Sequence, residues 1–192
     1  MKWKYIILMV VALVLSGCSK GKPDANNDLG SGDKSNLPVS LTSLIEHAEL
    51  CKAIYDLGGD QKDEVAFEVK QENGITTIII RGMANKSNVE SDIDIRLVKD
   101  GRLGIYLHKG FRDASLGVME IIDRDHTVEN TVRITGHSLG GAISQIIGMW
   151  LHKRNHNVQI FSYGSPKVSN QVLSSGQPTH WRVVRRSDPI PF

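Results

Sequence analysis

The stretch whose reading decides the fold is Gly136-His137-Ser138-Leu139-Gly140-Gly141-Ala142. Thr131 to Thr135, apolar at Val132 and Ile134, reads as a short strand leading into it. Leu139, Ile143, Ile146, Ile147 and Trp150 after it form an apolar stripe on a helix from Leu139 to Lys153. Strand, tight turn and helix in that order is the setting in which Gly-x-Ser-x-Gly is a nucleophile elbow rather than a glycine-rich turn. An elbow holds its serine in a strained backbone conformation, so Gly136 and Gly140 must lack side chains for strand and helix to approach. The helix N-terminus then faces the serine Oγ, where its dipole and free N–H groups favour developing negative charge. Ser138 is the candidate nucleophile, and the Leu139 N–H is placed to bind an oxyanion.

Outward from the elbow, the chain alternates strand and helix. Leu41, Leu44, Ile45, Ala48, Cys51, Ile54 and Tyr55 recur at helical spacing after Ser40, a predicted N-cap. Strand-like runs follow at Glu64 to Lys70, Ile75 to Arg81, Ile93 to Val98 and Leu103 to Leu107, then a helix over Phe111 to Asp123. Beyond the elbow helix come a strand at Val158 to Ser162, a short helix at Gln171 to Ser174 and a last strand at Trp181 to Arg186. This pattern predicts an α/β fold built on a mainly parallel sheet with right-handed crossovers. At 192 residues the chain fits one domain.

The N-terminus is read separately. Met1 to Lys4 is a basic n-region and Tyr5 to Leu15 an apolar h-region too short to span a bilayer comfortably. It ends in Leu15-Ser16-Gly17-Cys18, which resembles the bacterial lipobox. The expectation is a lipoprotein signal peptide over 1–17, acylation of Cys18, and a flexible polar tether from there to residue 38 ahead of a domain over 39–192. Ser19, not Asp, after that cysteine implies the outer membrane, on its periplasmic face or at the cell surface. Removing residues 1–17 takes two lysines and leaves 21 basic against 21 acidic residues, so the mature protein is formally neutral and carries no basic stripe for nucleic acid. Cys51 would then be the remaining thiol, a buried small hydrophobe. No cluster of His, Cys or Asp has metal-ligand spacing, and neither metal nor cofactor is expected.

From residue 41 to the end the sequence resembles the class 3, or fungal-type, lipase family. Four motifs carry the likeness: Ile79-Ile80-Arg81-Gly82-Met83, His108-Lys109-Gly110-Phe111, the elbow, and Phe161-Ser162-Tyr163-Gly164-Ser165-Pro166-Lys167-Val168-Ser169-Asn170. The resemblance implies an α/β-hydrolase-like sheet with helices on both faces, a lipid or other ester substrate, and a second oxyanion N–H from Met83. Where the family has Ser or Thr, Met83 adds no side-chain hydroxyl. Arg182 to Pro191 resembles the family's last strand and its Asn-Asp-x-Val-Pro, which implies Asp188 as the triad acid. A serine peptidase or thioesterase could use the same elbow, but the His108 and Gly164 motifs favour the lipase reading.

In α/β-hydrolases the base follows the acid, yet only Pro189, Ile190, Pro191 and Phe192 follow Asp188. His180 is expected ahead of the last strand, His152 and His156 at the far end of the elbow helix, His126 on the wrong face and His47 on a solvated face. His137 belongs to the elbow itself, and His108 is read as a structural or site-lining residue. The expectation is therefore a C-terminally shortened fold whose triad His is absent, with little or no esterase activity as this polypeptide stands; the rival is a catalytically inactive lipase-like surface lipoprotein. The stretch matching the family's lid, Ala84 to Asp94, is polar apart from Val89 and Ile93. It implies a preference for phospholipid, monoacyl or short-chain esters over bulk triacylglycerol.

Overall fold

Ser40 opens the first helix: its Oγ accepts the Ser43 N–H at 3.1 Å and its carbonyl the Leu44 N–H at 3.2 Å, the expected cap. The computed structural model describes residues 39–56, 65–82, 94–171 and 176–184. Helix α1 runs Leu41–Asp56. The chain divides between Glu46 and His47 into two units, and the described part of the first, 39–46, is this cap and the opening of α1.

In the second unit the elements are β1 (Phe67–Glu72), β2 (Ile75–Ile80), β3 (Leu97–Lys99), β4 (Tyr106–His108), α2 (Lys109–Asp125), β5 (Thr131–His137), α3 (Leu139–Lys153), β6 (Asn157–Tyr163) and β7 (Thr179–Val183). Five strands form one sheet in the order β1-β2-β5-β6-β7. β1 runs antiparallel to β2 and the other three pairings are parallel, the mainly parallel α/β sheet expected. β1 and β2 form a two-residue hairpin: Asn73 and Gly74 both have positive φ, 53° and 73°, as a turn matching the strands' twist requires. β3 and β4 stand apart as a two-stranded ribbon. The predicted short helix at Gln171 to Ser174 lies, apart from Gln171, outside the described residues.

Side-chain alternation gives the sheet two different faces. Ile78, Ile134 and Ile160 are register partners across β2, β5 and β6 and are buried with Ile80, Val132 and Val158 in the core that α2 and α3 cover. Sandwiched there, α3 is buried from Leu139 through Leu151 on all sides, not on one stripe alone. Its middle approaches the sheet so closely that a Cβ on Gly148 would lie 2.6 Å from Ile160 Cδ1. The opposite face presents the row Ile79, Thr135, Phe161 and Trp181, and α1 meets it from His47 onward, so helices occupy both faces. His47 is 3% exposed, not solvated as its polarity suggested, because its ring stacks on Phe161 at 3.7 Å between centroids and Phe161 in turn stacks on Trp181 at 4.9 Å.

Asp100, just after β3, ties the ribbon to the core. Its buried carboxylate accepts hydrogen bonds from the Arg102 N–H (3.1 Å), the Leu103 N–H (2.9 Å) and Trp150 Nε1 (3.2 Å) through Oδ1. Oδ2 accepts from Arg112 Nε at 3.4 Å. A buried carboxylate is tolerated where its lone pairs are filled this way.

Candidate active site

The parallel strands end together at one edge of the sheet, and β5, the central strand, delivers Ser138 there. Ser138 has φ 55° and ψ −124°, a region that costs an L-residue about 1–3 kcal/mol and persists only where surroundings enforce it. Three backbone bonds do so: Ser138 N–H donates to the Tyr163 carbonyl at 3.0 Å, and the Ser138 carbonyl accepts from Gly141 and Ala142 N–H at 3.0 and 3.2 Å. The glycines are steric necessities, as expected, although with different partners. A Cβ on Gly136 would lie 2.2 Å from the Gly140 carbonyl oxygen, between strand and helix; one on Gly140 would lie 2.2 Å from the Ile80 carbonyl oxygen, against β2. Gly141 is equally confined, 2.8 Å from Ser165 Cβ.

Although Ser138 occupies the N-cap position of α3, its hydroxyl makes no capping bond. The Oγ is left for chemistry, half-buried at the head of a helix. Leu139 opens that helix, so its N–H is among the four without an intrahelical acceptor, beside Oγ where an oxyanion would form. From the other side comes the end of β2. Arg81 N–H bonds the Ala66 carbonyl at 2.9 Å, and Gly82 then presses against the elbow: a Cβ there would lie 2.6 Å from the His137 carbonyl oxygen and 3.4 Å from Ser138 Cβ. Gly82 is the residue before Met83. Met83 itself, Asp188 and Cys18 lie outside the described residues.

Tyr55 is a site residue that sequence reasoning missed. On periodicity it is one more apolar position of α1, yet its Oη lies 3.3 Å from His137 Nδ1 and 2.6 Å from where a Gly82 Cβ would be. It bridges the end of β2 and the elbow. Burial pushes its phenol up to about 12, against the pull of a hydrogen bond from the Gly82 backbone, so it is neutral and available as a donor. The usable signal was that a tyrosine on a buried face brings a polar tip needing a partner. One turn earlier, Cys51 Sγ sits 3.1 Å from Thr135 Oγ1, which donates to the His47 carbonyl at 3.3 Å. Cys51 is fully buried, as read from the sequence.

The sequence profile of the lipase (class 3) family matches residues 77–192, more than half of the chain. The chain belongs to the class 3 lipase family. A secreted mono- and diacylglycerol lipase of Fusarium solani is 28% identical over 125 residues, which cover 59% of this chain and 38% of the relative. A lipase of Rhizopus niveus is 30% identical over 135 residues, 59% of this chain and 33% of the relative. This class 3 lipase chain thus spans about a third of the length of the curated relatives it matches. Among solved structures, the native propeptide complex of Rhizomucor miehei lipase superposes with a TM-score of 0.56 over 87% of this chain and 72% of that one, at 20% identity, a likeness of fold.

Within this lipase fold the described histidines are otherwise engaged. His108 precedes α2, where its Nδ1 meets the Ile95 carbonyl at 2.7 Å, its N–H bonds the Val168 carbonyl at 3.0 Å and its ring packs edge-on to Phe111. His152 Nε2 meets the Gly176 carbonyl, His156 Nδ1 the Glu129 carbonyl, and His126 ends α2. His180 lies within β7, which begins two residues earlier than predicted, and its Nε2 is 2.8 Å from the buried Ser162 Oγ. Among the described residues none of them reaches Ser138 Oγ. Downstream of β6, Gly164 takes φ 55° and donates its N–H to Val183. Ser165 Oγ accepts from Gln145 Nε2 and its carbonyl from Arg182, locking this loop to α3 and β7.

Proposed function

We propose that this chain carries the nucleophile and oxyanion-binding half of a lipid-ester hydrolase. Ser138 attacks the ester carbonyl to form an acyl-enzyme, the Leu139 and Met83 N–H groups receive the oxyanion, and Asp188 is the triad acid. The observation that carries the reading is the enforced backbone of Ser138 at the head of α3, its hydroxyl uncommitted. Within that reading, the polar stretch in place of a lid favours phospholipid, monoacyl or short-chain esters, and the lipobox at Cys18 makes the protein a membrane-anchored bacterial lipoprotein of the outer membrane.

A hydroxyl with no base beside it is a weak nucleophile, and among the described residues no histidine meets Ser138 Oγ. The polypeptide is therefore expected to hydrolyse p-nitrophenyl butyrate slowly, and added imidazole, standing in for the base, to raise the rate above imidazole's own background. That increment should vanish in Ser138→Ala. An increment that survives the substitution overturns Ser138 as nucleophile; turnover without imidazole that depends on Ser138 overturns the missing base. The second reading is a catalytically silent surface lipoprotein retaining the fold, favoured by the absence of any described histidine at Ser138 Oγ. It requires no increment in either protein.

A further inference from the structure

The parallel ladder between β2 and β5 ends at the pair Ile80↔Gly136, short of Gly82, so strand pairing does not hold the piece of backbone that faces the elbow. Arg81 N–H goes the other way, to the Ala66 carbonyl at 2.9 Å. That leaves the N–H of Gly82, which is buried, and a buried backbone donor needs an acceptor. The Tyr55 phenol oxygen takes it, in a hydrogen bond from the Gly82 backbone. This contact explains the glycine: a Cβ there would lie 2.6 Å from both Tyr55 Oη and the His137 carbonyl oxygen, so a side chain would push the hydroxyl and the elbow away from the backbone between them.

A tyrosine hydroxyl carries one proton and two lone pairs. With a lone pair given to Gly82 N–H, its proton is directed at His137 Nδ1, 3.3 Å away in the elbow itself. One side chain of α1 thereby couples the end of β2 to the residue before the nucleophile. We propose that Tyr55 is a positioning residue for the oxyanion site, setting through its hydroxyl where Gly82 stands relative to Ser138. The gap it governs is narrow, since the Gly82 Cβ position is 3.4 Å from Ser138 Cβ. Met83, next in sequence, brings no hydroxyl of its own, so on this side the site depends on backbone, and the anchor of that backbone is a side chain of another element. The role in hydrolysis rests on the reading of Ser138 as nucleophile; the anchoring of Gly82 does not.

A thiono ester separates positioning from plain structural support, because its C=S sulfur gains little from donors placed for an oxygen. The full chain is given p-nitrophenyl butyrate or its thiono analogue with added imidazole, and the rate of Ser138→Ala is subtracted. Tyr55→Phe should lower the Ser138-dependent kcat on the oxygen ester about tenfold at unchanged KM, and on the thiono ester by less than about twofold, where loss of a whole donor costs roughly 10²–10³. Equal losses on both esters, or no loss on either, overturn the role. Amide exchange needs no turnover and reads the anchor directly: in Tyr55→Phe the Gly82 N–H should exchange about tenfold faster or more, while Val132 and Ile134 in β5 keep their rates. A Gly82 rate that the substitution leaves unchanged overturns the anchor. If Tyr55→Phe does not fold, the parent decides, since a Gly82 amide exchanging as fast as one in an exposed loop has no anchor and slow exchange upholds it. A parent with no Ser138-dependent rate fails the hydrolase reading and the role in hydrolysis with it, and the Gly82 exchange rates still decide the anchor.

Discussion

Among the described residues at the head of α3, Ser138 is the one whose backbone is held against its own preference. Because φ 55° and ψ −124° are easy for glycine and costly for any residue with a Cβ, Ser138→Gly should raise the free energy of unfolding in urea by about 1 kcal/mol. Ser138→Ala should leave it within about 0.5 kcal/mol. Equal stability of the two variants would mean the elbow carries no strain. The elbow at Ser138 was legible in the sequence because glycine spacing is a steric requirement that survives any choice of partner. Tyr55 was not, because helical periodicity reports only which side of α1 is buried; that its hydroxyl meets His137 and Gly82 depends on where β2 and β5 end. For the same reason His47 was misplaced: polarity argued for solvent, and the flat face of Phe161 decided otherwise.

Elements were read more securely than their connections. Helix α3 has the predicted bounds, since a glycine-rich elbow starts it and Arg154 and Asn155 stop it, the latter with φ 69°. The β1–β2 turn was signalled by Asn73-Gly74, a pair that fits the mirror-image hairpin turn, yet strand patterning alone did not say that the two runs pair. Strand β7 starts earlier than expected because His180, polar in sequence, is register partner to Ile160 and hydrogen-bonds Ser162. At this scale Asp100 predicts most. It fastens the ribbon, α2 and α3 through one carboxylate, so Asp100→Ala leaves Trp150 Nε1 and two backbone N–H groups without their acceptor. The expected loss of stability is about 3 kcal/mol, read as a lowered urea midpoint, with Arg102→Ala, which removes only the cation resting on Trp150, costing about 1 kcal/mol.

For the whole molecule, buried acids set the alkaline limit. The Cys51 thiol moves from an ordinary 9.0 up to about 12 and the Tyr55 phenol from 10.0 to about 12, in each case chiefly through burial; burial also raises Tyr163. The folded state thus holds protons that the unfolded chain releases, so this part of the stability is complete below pH 9 and lost as pH climbs from there toward 12. Urea midpoints should hold between pH 7 and 8.5 on this account and fall at pH 10.5, more in the parent than in Cys51→Ala. A parallel decline in both proteins would assign the loss elsewhere. The sheet order has a consequence in time. Ile75 to Ile80 pairs with Glu72 to Phe67 immediately, through the Asn73-Gly74 turn, but its other edge waits for Thr131 to Gly136. During synthesis the run Ile75-Thr76-Thr77-Ile78-Ile79-Ile80 is therefore a hairpin strand with a bare, sticky edge. The central strand closes the sheet and hides that edge in the same event that places the serine, so a chain that escapes aggregation has, by then, assembled its elbow.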